Sequence, residues 1–172
     1  MNDELRAELE RMREDDQAIR EDAMQIVQAH GPASPQYEEL RIRGRAMQDR
    51  HAARLIEIVE EHGWPGLSLV GEAAAGGAFL LLQHAELETQ KKYLPLLREA
   101  TAAGEAKCAD LPLLEDRVRM LDGEKQVYGS QLMRGEDGKP TLWPVEDEAH
   151  VDERRAGVGL EPLADYLKRF GL

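Results

Sequence analysis

Apolar or small residues stand at Leu5, Leu9, Met12, Ile19, Ala23 and Ile26, alternately four and three apart with one gap. That spacing draws one stripe along a helix and predicts a first helix from about Asp3 to Ala29. His30-Gly31-Pro32 is a stop signal. Ser34-Pro35 then offers an N-cap and a first-turn proline for a second helix, which runs through Leu40, Met47, Leu55, Ile58 and Val59 to His62-Gly63. So short a connection folds the two long helices back on each other as an antiparallel hairpin. Gly44 reads as a bend in the second. The gap in the first stripe falls on Asp16, a carboxylate where the seam calls for a leucine.

After the loop Gly63-Trp64-Pro65-Gly66, Ser68 is placed to cap a third helix from about Leu69 to Ala85. Apolar almost all round, that helix is expected at the centre of the fold. Its Gly76 and Gly77 cost roughly 1 kcal/mol each against alanine, which a close approach of another backbone or a ligand would offset. A fourth helix spans about Glu88 to Ala103, kinked or split at Pro95. A fifth runs from Asp110 to Asp122-Gly123 with Leu111, Leu114, Val118 and Leu121 on one face.

The period then changes. Lys125–Leu132 and Thr141–Val145, flanking the loop Arg134–Lys139, predict a β-hairpin whose second strand is an edge because of Pro144. In the first strand Gln126, Tyr128 and Ser130 would face one side, Val127 and the buried Gln131 the other, with Gly129 allowing a close approach. Short helices near Asp147–Ala156 and Pro162–Phe170 close the chain. The expected fold is therefore mainly α: a single domain over 1–172, a helical bundle with a long N-terminal hairpin and a small C-terminal β-hairpin.

At 172 residues the chain is long enough for one proper core. Its net charge of −12 argues against binding a nucleic-acid backbone or an anionic membrane surface. No apolar run approaches the ~20 residues of a spanning helix, and the start, MNDELRAELE, has no signal-peptide character. The single cysteine, Cys108, makes no internal disulfide and no metal clip, and no histidine stands beside it. A cytoplasmic setting follows as the expectation.

Metal-site, phosphate-loop and nucleophile-elbow motifs are absent, and His30, His51, His62, His84 and His150 are too scattered for a ligand pattern. Neither metal nor cofactor is expected. The chemistry-bearing residues are polar groups in apolar places. Gln83 and His84 end the most apolar helix, where the alternatives are a surface helix end and a polar pocket. Asp16, followed by Gln17 and one turn before Arg20, needs a partner from another element. Asp116 and Arg117 on the fifth helix read equally as an internal pair or as ligand-binding groups. Tyr128 is either a packed tyrosine or a proton donor. Arg154 and Arg155 near a helix end satisfy carbonyls or grip an anion.

Several of these stretches occur together in an order that resembles one family. They are Asp16-Gln17 with Arg20, HGWPG at His62–Gly66, Val70-Gly71, QHAE at Gln83–Glu86, Asp116-Arg117, QVYGSQ at Gln126–Gln131 and RRAGVGL at Arg154–Leu160. The likeness is to bacterial proteins, common in actinomycetes, that form a domain of unknown function. The family often carries QHAD and YGTQ where this chain has QHAE and YGSQ, changes that keep the chemistry. The resemblance spans nearly the whole chain and implies no activity.

The expected site is a pocket where the first helix, the end of the third, the fifth and the hairpin meet. His84 would be the general base, oriented by Asp16 or Asp116, with Tyr128 as acid or oxyanion donor. Gln83, Gln131, Arg20, Arg117, Gln17, Arg154, Arg155 and Trp64 would position a small polar molecule for hydrolysis or proton transfer (elimination or cyclisation); a biosynthetic setting is implied by the actinomycete resemblance alone. The alternatives are a sensor with the same pocket, or a helical interaction module whose polar cluster only fixes packing. A homodimer is compatible with each.

Overall fold

The computed structural model describes residues 1–135 and 138–172. Those residues are mainly helical, and they form two compact units, Met1–Glu86 and Leu87–Leu172.

In the first unit α1 (Asp3–His30) and α2 (Pro35–His62) form the expected hairpin. The Asn2 side chain caps α1 by accepting from the Leu5 amide at 3.1 Å. Ser34 Oγ caps α2 through the Tyr37 amide at 3.3 Å, with Pro35 in the first turn as predicted. The helices are antiparallel, and a two-pronged ion pair holds their far ends: Arg54 donates to both oxygens of Glu8, at 2.6 and 3.1 Å. Gly44 is no bend. A Cβ there would lie 3.0 Å from Ile19 Cγ2, so the missing side chain lets α1 and α2 close together.

The predicted third helix is two helices. α3 (Leu67–Val70) is a single turn, and α4 (Glu72–His84) follows after Gly71. Gly71 sits at φ +81°, where its N–H closes the short turn onto the Leu67 carbonyl at 3.0 Å. That left-handed backbone comes cheaply only to glycine and breaks the run. Ser68 lies inside α3, and no side chain caps α4.

α4 packs on both α1 and α2 and runs parallel to α1. Its buried residues Ala74, Ala75, Ala78, Phe79, Leu81 and Leu82 meet a core that includes Leu5, Leu9, Met12, Leu55, Ile58 and Val59. Each large side chain among them contributes about 1.5–3 kcal/mol by leaving water. Gly77 supplies the expected close backbone approach: a Cβ there would stand 3.1 Å from the Leu9 carbonyl oxygen. Nothing lies within 4 Å of a Cβ built at Gly76.

The second unit begins with α5 (Leu87–Ala102), which contains Pro95 without being split by it, and α6 (Asp110–Leu121). These pair antiparallel, with ion pairs Lys91–Asp122 and Arg98–Glu115, both 2.6 Å. The β-hairpin is smaller than predicted. β1 (Leu132–Arg134) pairs antiparallel with β2 (Pro140–Leu142), Leu132 opposite Leu142. Of the predicted turn, positions 136 and 137 lie outside the described residues.

Gln126–Gln131 is a loop rather than a strand, so the alternation read from its side chains does not hold. Gln126, Ser130 and Gln131 are buried, and Val127 and Tyr128 half-buried. Only Gln126 bridges another segment in strand fashion, to Val145. Gly129, at φ +71°, does admit a close neighbour: Leu163 Cδ1 would be 2.8 Å from its Cβ. A short 3₁₀ turn at Glu148–His150 leads into α7 (Val151–Gly157), and α8 (Leu163–Lys168) ends the fold. No helix among the described residues is long and apolar enough to cross a membrane.

Candidate functional site

The candidate residues fall into two groups, one in each unit. In the first, Asp16 occupies the next seam position after Met12 and is 1% exposed. A buried carboxylate is tolerated only with partners, and α4 and α2 provide them. His84, in the last turn of α4, places Nδ1 2.9 Å from Asp16 Oδ1. Gln48 on α2 extends its amide toward the same oxygen at 3.5 Å. Arg20, one turn further along α1, brings Nε to 3.0 Å from Oδ2. That last contact is ionic rather than a directed hydrogen bond, since Oδ2 has no donor aimed at it.

Arg20 also places Nη2 against the other ring nitrogen of His84, Nε2. With the imidazole neutral and its proton on Nδ1, Asp16 receives the Nδ1–H and Nε2 accepts from Arg20. Burial pushes the Asp16 carboxyl up. The hydrogen bond from His84, the charge of Arg20 and the Gln48 amide outweigh burial and hold it below the usual aspartate value. Of the two orienting groups expected for His84, Asp16 is the one hydrogen-bonded to Nδ1.

Beside this cluster a groove of about 310 Å³ opens between α1 and α2. Ile19, Ala23, Leu40 and Gly44 give it an apolar floor, and Arg20, Arg41, Arg45, Tyr37 and Gln48 complete the lining. Gln48, Arg41, Arg45 and Tyr37 were not among the residues singled out from the sequence. Gln48 had a signal: reflected through the turn at Gly31–Ser34, Asp16 lands one residue from it. Of the other expected residues here, Gln17 is exposed, beside Glu10 and Arg13. Gln83 is half-buried. Trp64 is buried, and its indole Nε1 has no hydrogen-bond partner among the described residues.

The second group is organised around Asp116, fully buried on α6. Its Oδ1 accepts from the Val127 amide at 2.7 Å and the Tyr128 amide at 3.0 Å, and its Oδ2 from the Ser130 amide at 2.9 Å. The same loop's carbonyls are taken from the other side. Arg154 Nε donates to the Val127 carbonyl at 2.9 Å, Arg155 Nη1 to that of Tyr128 at 2.6 Å, and Tyr166 Oη to that of Ser130 at 2.7 Å. Gln126 closes the loop on itself: Oε1 accepts from the Gln131 amide at 2.8 Å, and Nε2 donates to the Gln131 carbonyl at 3.1 Å.

Gln131 Nε2 in turn donates to Ser130 Oγ at 3.0 Å. Arg155, 2% exposed, also donates from Nε to the Glu161 carbonyl at 2.6 Å and stacks over Tyr166. Arg117 is half-buried on α6. Tyr128 borders a groove with Arg98, Glu115 and Arg119. Burial, the negative charges of Glu115 and Asp116 and a hydrogen bond with Glu115 raise its phenol above the usual tyrosine value.

Among the described residues no three His, Cys, Asp or Glu side chains come together as a metal site. No curated protein and no solved structure matches the chain significantly. The motifs that supplied these residues run from Asp16 in α1 to Leu160, just past α7. One family model spans all of them, matching residues 3–171, and the chain belongs to that family of unknown function (DUF6624).

Proposed function

We propose that the first unit processes a small polar molecule by acid–base chemistry at His84, in the cytoplasm. The observation that carries this reading is the pairing of a seam carboxylate with an imidazole whose second nitrogen is hydrogen-bonded to an exposed side chain. Asp16 fixes the ring and stabilises the imidazolium that forms when Nε2 takes a proton. Arg20, half exposed, is free to leave. Hydrolysis and proton transfer (elimination or cyclisation) both need this equipment, and neither is preferred by it.

A second reading treats the cluster as a fastening between α1 and α4. It is favoured by Arg20, which touches Asp16 and both ring nitrogens at once. Stability and turnover separate the two. The protein is incubated with a library of small polar metabolites, products are read by mass spectrometry, and His84→Ala and Asp16→Asn serve as controls. Turnover that vanishes in both variants, with His84→Ala losing less than about 1 kcal/mol of stability, is the expected result. No turnover together with a loss above about 2 kcal/mol in His84→Ala assigns the cluster to packing.

A further inference from the structure

The groove between α1 and α2 has a charge pattern unlike the rest of this acidic chain. Three guanidiniums line it, with a phenol and an amide, and no carboxylate does. Each arginine is held by its Nε and Nη2 edge. Glu38 takes both from Arg41, at 2.8 and 2.7 Å. Asp49 takes Nε of Arg45 at 3.2 Å and Glu86 takes Nη2. Asp16 takes Nε of Arg20 at 3.0 Å, and Nη2 rests on His84. All three therefore leave Nη1 without a hydrogen-bond partner among the described residues. Guanidiniums pinned from one side, with a free donor on the other, suit a negatively charged group of a ligand. The apolar floor suits a carbon skeleton attached to it.

We infer that this groove binds a small organic anion, a carboxylate or phosphate ester with an apolar body, and that Arg20 moves from His84 onto the anion when it binds. Arg20 belongs to both places: it lines the groove and covers Nε2. An anion competes with the imidazole for the same guanidinium and uncovers the ring nitrogen beside the bound molecule. The inference builds on the acid–base reading by naming its substrate class. The groove itself is tested without any turnover.

The probe is phenyl phosphate, titrated at constant ionic strength into the isotope-labelled full chain, with inorganic phosphate in parallel. Amide shifts report the site and ring-nitrogen shifts report His84. Phenyl phosphate is expected to saturate, to shift Ile19, Ala23, Tyr37 and Leu40, and to bind at least fivefold more tightly than inorganic phosphate. Arg41→Ala/Arg45→Ala, both exposed positions, should weaken it at least tenfold with the melting temperature unchanged. The His84 ring nitrogens should shift in the native chain and stay still in Arg20→Ala.

Non-saturating or scattered shifts overturn the site, as does binding within twofold of native in the double variant. Equal affinity for the two phosphates overturns the role of the apolar floor. A silent His84 in the native chain overturns the movement of Arg20. His84→Ala should keep phenyl phosphate binding within threefold, and its loss there would put the anion on the imidazole instead. Groove binding without turnover in the metabolite screen sinks the acid–base reading and leaves the anion site standing. Turnover by a chain whose groove ignores phenyl phosphate does the reverse.

Discussion

Among the described residues two carboxylates are buried almost completely, Asp16 in the first unit and Asp116 in the second, and they are answered in opposite ways. Asp116 receives three backbone amides, and side chains from α7, α8 and Gln126 take up the carbonyls of the same loop. Backbone donors have nowhere else to go, so that network is closed. Asp16 receives only side chains, His84, Gln48 and Arg20, and one of its oxygens has no donor aimed at it. Side chains swing away without unfolding anything. A carboxylate held by backbone builds the fold. One held by a histidine and a half-exposed arginine beside a groove is equipped to change partners.

The largest test of this contrast is Asp116→Ala. It strands three backbone amides and should destabilise the protein by about 3–5 kcal/mol, read from urea unfolding at neutral pH. A loss below about 1 kcal/mol would erase the distinction. Asp16→Asn should cost less, about 1–2 kcal/mol at neutral pH. Its pH dependence sharpens the point. The carboxyl of Asp16 sits below its usual value in the folded chain, so its contribution is complete above the unfolded value of 3.8 and fades as pH falls through the folded one. Unfolding curves of the native chain and Asp16→Asn should therefore converge toward acid.

Asp110, at the start of α6, gives the opposite sign. Burial pushes its carboxyl up to about 6, against which Lys107 counts for less. Folding is then penalised as pH rises from 3.8 through 6, because the unfolded chain ionises first. Asp110→Asn should raise stability by about 1 kcal/mol at pH 8 and leave it unchanged at pH 3, a difference that melting curves resolve. The smallest expected effect is that of His84→Ala, within about 1 kcal/mol in melting experiments at neutral pH. A larger loss would move Asp16 into the same class as Asp116.

Much of the first unit was legible because periodicity and punctuation agree there. The seam from Leu5 to Ile26, the stop at Gly31 and the cap at Ser34 each predict the same hairpin, and Asp16 stands out as the one misfit in the seam. Gly71 was harder. A glycine inside an apolar run reads as helix interior until its φ is known. The loop at Gln126–Gln131 was illegible for a different reason. Its alternating residues mimic a strand, yet its amides pair with a carboxylate ten residues and more upstream, and no side-chain pattern reveals that. Arg41 and Arg45 escaped notice because solvated arginines on a helix look alike until the opposite helix is in place.

Gly77 lies seven residues before His84, and Leu9 seven before Asp16. In parallel helices the two contacts are successive rungs of one ladder: the glycine against the Leu9 carbonyl, then the imidazole against the carboxylate. The lower rung works as a caliper. It sets how near α4 stands to α1, and with that the reach left for His84 to span. A methyl group on Gly77 would widen the jaws two turns away from the imidazole and slacken the upper rung, so the fit of His84 against Asp16 is machined into a residue that belongs to neither.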